Sequence, residues 1–306
     1  MRFGPLLRAA TAIIPLSAGA ATPSLAVCPP EGWSRESLEA LKAAHWRVDD
    51  TARREVLAKG LLTCLANADP ALRDGIAFEA LSAWMRADQI PQPLLRDIAR
   101  TLIAQLGADR TDTAGFERPF AALVLSEVAR VDRLHPFFST GERASVLQAA
   151  VTWLPTVRDY RGFDARDGWR HGVAHGADLL TQLSLNPALG LAEHERILEA
   201  VATQVTPPGE HFYIYGEGER LARPVLLVAR RGTITAEYWN AWIHRIATPG
   251  SFKDWESALQ TQTGLARRHN LNGFLVALYV NIAEGSDESA KRIFLPAVTE
   301  ALKALN

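Results

Sequence analysis

Apolar residues recur along this chain with a helical period. Leu57, Leu61, Leu62 and Leu65 stand at i, i+4, i+5 and i+8, and Leu94, Leu95, Ile98, Leu102, Ile103 and Leu106 form a second stripe. Start signals separate the stripes. Asp69-Pro70 is a cap followed by proline in the first turn, Ser139-Thr140-Gly141-Glu142 has capping-box spacing, and Ser251-Phe252-Lys253-Asp254 repeats it with aspartate. The pattern predicts about thirteen helices, near 34–46, 50–66, 70–87, 92–106, 114–132, 140–157, 168–185, 191–205, 216–231, 234–247, 252–268, 271–283 and 287–304. The one segment that alternates usefully, His211-Phe212-Tyr213-Ile214-Tyr215, is bracketed by Pro207-Pro208-Gly209 and Gly216 and reads as an ordered loop.

Short helices on short loops favour antiparallel pairs. Pairs repeating at about 40 residues point to an all-α fold of stacked antiparallel helix pairs, a HEAT-like α-solenoid, with an α/α toroid as the alternative. No linker rich in Gly, Ser or Pro interrupts residues 27–306, which read as a single all-helical domain.

The amino terminus reads as an export signal. Arg2 and Arg8 flank a basic start, residues 9–21 carry no charge, and Ser24-Leu25-Ala26 offers small residues for cleavage after Ala26. The apolar run is too short to span a bilayer and is broken by Pro15. Leu25-Ala26-Val27-Cys28 also resembles a lipoprotein box, although Val27 stands where a small residue is usual. Residues 1–26 hold two of the 33 basic side chains and none of the 34 acidic ones, so the remainder carries −3 against −1 for the whole chain. That balance gives no surface for nucleic acid or an anionic membrane. The cysteines, Cys28 and Cys64, form an even pair, which in an oxidising periplasmic or secreted location predicts one disulfide. A buried Cys64 beside a free Cys28 is the alternative.

Chemistry concentrates in Gly168-Trp169-Arg170-His171-Gly172-Val173-Ala174-His175-Gly176-Ala177-Asp178. On a helix His171, His175 and Asp178, at i, i+4 and i+7, share one face with Gln182. Trp169, Val173, Gly176, Leu180 and Leu183 fall opposite, which predicts that the polar stripe faces away from the core and lines a groove. The glycines at 168, 172 and 176 each cost a helix about 1 kcal/mol relative to alanine, as a close approach by another backbone or a ligand would require. His171 and His175 are metal candidates at two-imidazole spacing, with a third ligand to come from His211, Glu217 or Glu219. Gly172 replaces the glutamate of the His-Glu-x-x-His motif, and Asp178 is better placed to orient His175. In a hydrolase His171 or His175 would serve as acid or base with Glu217 or Glu219, and Asp178 would also be a candidate. The acidic start of Gly216-Glu217-Gly218-Glu219-Arg220 equally suits a helix dipole. Arg158-Asp159-Tyr160-Arg161 reads as a loop tied by ion pairs or the frame of an anion pocket. No glycine-rich phosphate loop occurs, and no cofactor is expected.

The segments Tyr160-Arg161-Gly162-Phe163 through Gly168-Trp169-x-His171-x-x-Ala174-His175-Gly176-Ala177-Asp178-Leu179-Leu180, Arg118-Pro119-Phe120 and Gly218-Glu219-Arg220-Leu221-Ala222 resemble the bacterial domain of unknown function 2785 over about residues 70–285. The resemblance implies an all-helical, HEAT-like fold and no particular activity. It also implies that Arg118, Trp169, His171, His175, Asp178, Glu219 and Arg220 form one cluster. The chain departs from the pattern at Pro119, where serine is expected, and in its export signal. The reading is thus an exported protein that binds a peptide, glycan or small ligand, or an unidentified protein partner. The groove would be lined by Arg118, Trp169, His171, His175, Asp178 and Arg220. The alternative is a carbohydrate-active or metal-assisted hydrolase.

Overall fold

The structure, a computed structural model, describes residue 1, residues 27–109 and residues 112–305. The expected export signal therefore lies outside the described residues but for Met1. The chain is helical almost throughout: α1 (Arg35–Ala43), α2 (Thr51–Leu61), α3 (Pro70–Leu72), α4 (Glu79–Arg86), α5 (Gln92–Leu106), α6 (Glu117–Leu134) and α7 (Thr140–Trp153) lead to a two-stranded ribbon, β1 (Phe163–Asp164) and β2 (Gly168–Trp169). Then come α8 (Gly172–Ser184), α9 (Leu191–Val205), α10 (Glu217–Arg231), α11 (Ala236–Ile246), α12 (Trp255–Ala258), α13 (Gln262–Ala283) and α14 (Glu288–Ala304). Short 3-10 turns extend α2 over Leu62–Ala66 and α7 over Leu154–Thr156, and a π-helical turn, Arg73–Phe78, joins α3 to α4.

Helices follow each other in two layers. α6 packs on α8, α8 on α10 and α10 on α13, while α5, α7 and α9 pack in sequence behind them. One contiguous apolar cluster runs from Leu38 to Leu305. Cys28 and Cys64 are joined by a disulfide that ties the start of the described chain to the turn after α2. No helix among the described residues is long and apolar enough to cross a membrane.

The caps explain several boundaries. Asp69 accepts from the Ala71 amide, and Ser139 with Glu142 closes a capping box. The box expected at Ser251 forms instead at Asp254 and Ser257, opening only the four-residue α12. The helices expected over 252–268 and 271–283 are accordingly α12 and one continuous α13. Thr261 caps α13, and Gly264 allows the reversal between them, since a Cβ there would lie 2.0 Å from the Ala258 carbonyl oxygen.

The largest departure is at the histidines. Residues 168–171 are not helical. Asp164 accepts from the amides of Arg166 and Asp167, so a turn competes with the helix there. Gly168 completes the turn at φ +73°, pressed so closely on Pro70 and Arg73 that a Cβ would come within 2.9 Å and 3.0 Å of their atoms. His171 follows in the left-handed region, φ 56° and ψ 40°, as the residue before α8. Only Gly172 and Gly176 of the three spaced glycines lie in the helix. Gly176 fits against Leu154, whose Cδ1 would be 2.8 Å from a Cβ.

Candidate functional site

A cleft of about 610 Å³ opens where the π-turn and α4, α6, the ribbon, α8 and α10 meet. From α6, Leu123, Ser126 and Glu127 share a face at helical spacing, and α8 adds His175, Asp178, Thr181 and Gln182. Arg220 and Arg223 enter from α10, while Asp74, Phe78, Glu79 and Arg86 form the far wall. Trp169 and His171 close the end. Arg73 holds that end in place. Fully buried, it donates to the Asp167 carbonyl at 2.8 Å and to Asp74 at 2.7 Å, with its guanidinium over the Phe116 ring at 3.9 Å.

The two histidines are buried rather than solvent-facing, because α8 is covered by α6 on one side and α10 on the other. The indole of Trp169 stacks on His171 at 4.8 Å and meets the edge of Tyr215 at 5.7 Å. His175 sits between Phe120 and His171, with ring centroids at 5.2 Å and 5.9 Å. Burial, helped by the Arg220 charge, lowers His171 to about 4; burial and the neighbouring His171 lower His175 to about 3. Both rings are therefore neutral at pH 7. His171 Nε2 and His175 Nδ1 are buried without a hydrogen-bond partner, an uncommon state for interior polar atoms.

Asp178 does not orient His175. Its carboxylate accepts from Arg220 Nη1 at 2.9 Å and 3.1 Å. Burial nevertheless raises Asp178 to about 6, outweighing the opposing pull of Arg220 and Arg223. Glu127, also buried, receives both Nε and Nη2 of Arg86.

Of the cluster expected from sequence, Trp169, His171, His175, Asp178 and Arg220 come together in the cleft. Arg118 does not. Its amide donates to Asp112 and its guanidinium to the Ala108 carbonyl, fixing the loop before α6. Nor do the two glutamates. Glu217 turns back to accept from the Tyr215 amide at 2.9 Å, and Glu219 is exposed outside the cleft. A His171/His175 site with Glu217 or Glu219 as its carboxylate is thus not assembled, and His211 is stacked on Tyr160 at 5.0 Å elsewhere. Among the described residues no three of His, Cys, Asp and Glu converge as metal ligands.

Asp159 pairs with Arg161, as the ion-paired reading of that loop expects, and lines a second cleft of about 700 Å³ behind the ribbon. Sequence reasoning missed Asp74, Glu79, Arg86, Glu127 and Arg223. Glu127 alone carried a signal, as a charge inside the apolar run of α6.

A model of the family described as a protein of unknown function (DUF2785) matches residues 102–280. The chain belongs to this family. No curated protein and no solved structure matches it. The matched segment includes α6, the ribbon, α8 and α10, whereas the wall formed by Asp74, Phe78, Glu79 and Arg86 precedes it.

Proposed function

We propose that this family member binds a small polar ligand in the cleft between α6, α8 and α10. The observation that carries the reading is the convergence of the Asp178–Arg220 pair with the partly exposed indole of Trp169 in one concavity. Its volume lies within the range of about 300–1,000 Å³ typical of small-molecule sites. The buried nitrogens of His171 and His175 that lack a protein partner belong to side chains lining the same cleft. An unbiased thermal-shift screen of metabolites and oligosaccharides tests it. A hit raises the melting temperature of the wild type and fails to raise that of Trp169→Ala or Asp178→Asn. Hits that stabilise all three equally remove the cleft from consideration.

One observation favours a hydrolytic role for the same cleft. Burial raises Asp178 to about 6, within reach of acid–base work, and Glu127 lines the cleft with it. Turnover of chromogenic glycosides or esters that Asp178→Asn abolishes would establish that role; turnover unchanged in the variant would end it.

The packing of α5 through α10 supports a HEAT-like stack over a toroid, because alternate helices there pack on one another in chain order. We read residues 27–306 as one domain on the strength of its single core. The disulfide supports export to the periplasm or beyond.

A further inference from the structure

The carboxylates lining the cleft each have a cation of their own. Asp74 lies 2.7 Å from Arg73, Glu79 2.8 Å from Lys42 and Asp178 2.9 Å from Arg220, while Glu127 is held by Arg86. The histidines add no charge at neutral pH. Arg223 is left over. It lines the cleft one turn beyond Arg220 on α10 and makes no hydrogen bond or ion pair with any described residue. The cleft therefore has one surplus positive charge and no acid to spare for a cationic ligand. A ligand with one negative group would complete the pairing, and a guanidinium matches a carboxylate in shape as well as charge.

The rest of the wall offers donors and acceptors side by side. Arg133 Nε donates to Gln182 Oε1 at 3.3 Å, which leaves the Gln182 amide NH₂ to donate into the cleft. The hydroxyls of Ser126 and Thr181 donate back to the Leu123 and Ala177 carbonyls and so present lone pairs. Asp178 and Glu127 accept, whereas Arg86 and Arg220 donate. Hydroxyl groups, which both give and accept, suit such a mixed lining better than amines or carbonyls do. Trp169, 39% exposed, supplies an apolar face against which a sugar ring can lie.

We infer that the ligand is a sugar acid, a polyhydroxylated ring lying against Trp169 with its single carboxylate paired to Arg223. The inference rests on the ligand-binding reading above and adds the chemical class.

Calorimetric titration of the disulfide-bonded protein tests it, with galacturonate and glucuronate as probes. Galactose and glucose serve as neutral counterparts, and benzoate as a carboxylate without hydroxyls. The uronates are expected to bind at least about tenfold more tightly than either comparison set, the discrimination of one charge-assisted pair. Arg223→Gln, an exposed substitution, is expected to remove that preference without lowering the melting temperature. The inference is overturned if no uronate binds, if neutral sugars or benzoate bind equally well, or if Arg223→Gln leaves uronate affinity unchanged. In each case a hit from the unbiased screen that Trp169→Ala eliminates would still keep the cleft as a ligand site. Absence of any such hit would defeat the broader reading as well.

Discussion

Asp178 on α8 and Arg220 on α10 are joined across the cleft through a single guanidinium nitrogen, Nη1, which serves both carboxylate oxygens at 2.9 Å and 3.1 Å. Neither Nε nor Nη2 of Arg220 is used in the pair. The contact thus links two helices while leaving donors for a ligand.

Removing one partner should cost more than removing both. Arg220→Gln leaves the Asp178 carboxylate poorly compensated, and urea unfolding should show a loss of about 1–3 kcal/mol, the pair being partly rather than fully buried. The double variant with Asp178→Asn should recover much of this loss. Additive effects in the cycle would mean that the pair contributes nothing to stability.

Acidification should destabilise the protein. Burial lowers His171 to about 4 and His175 to about 3, so between those values and about 6.5 the unfolded chain takes up protons that the folded chain refuses. Their contribution is full above that upper limit and is lost as pH falls. Asp178, raised to about 6, runs oppositely: its contribution is present below about 4 and is lost as pH rises through 6. The rings outweigh the carboxylate, giving a net loss of roughly 3 kcal/mol from pH 6.5 to 4. Asp178→Asn should make the decline steeper in denaturant titrations, and a shallower decline would contradict the assignment.

The disulfide should matter for stability and not for the cleft. It closes a loop with a sequence separation of 36, for which chain entropy gives about 4 kcal/mol. Cys28→Ser with Cys64→Ser should lose about that much in denaturant unfolding while binding ligands as the wild type does. A loss below about 1 kcal/mol would show that the first helices unfold independently of the rest.

Gly162 tests the aromatic end of the cleft. A Cβ there would lie 2.0 Å from the Tyr215 ring, which in turn packs against Trp169. Gly162→Ala should cost about 1–3 kcal/mol by overcrowding and weaken any ligand that needs Trp169. Unaltered stability and affinity would mean that Tyr215 moves freely and does not position the indole.

Local signals made much of the fold legible. The expected helices at 92–106 and 191–205 coincide with α5 and α9, each with an unbroken stripe and a glycine or proline at its boundary. The histidine segment misled because its spacing suits a helix whether or not the backbone is one. The Asp164 turn competes with the helix locally, and the crowding of Gly168 against Pro70 and Arg73, residues remote in sequence, settles it for the ribbon. The same limit hid half of the cleft. Asp74, Glu79 and Arg86 sit at ordinary surface positions of an amphipathic helix, and it is the docking of α6 and α8 beside them that makes them a wall. Histidines directed away from the core were likewise expected because a helical wheel shows one core, whereas α8 has neighbours on both sides and the cleft they line leaves them buried.

The π-helical turn at Arg73–Phe78 sets the phase between two parts of the molecule. Each of its i→i+5 steps holds one residue more than an α-helical step. Taking one residue out, for example Gly75, would restore a continuous α-helix and rotate everything before it by about 100° relative to α4. Lys42 would swing away from Glu79, and Arg73 would leave the Asp167 carbonyl that anchors the ribbon. The spare residue thus acts as a spacer that lets the disulfide-tied helices and the cleft wall keep their separate alignments on one continuous rod.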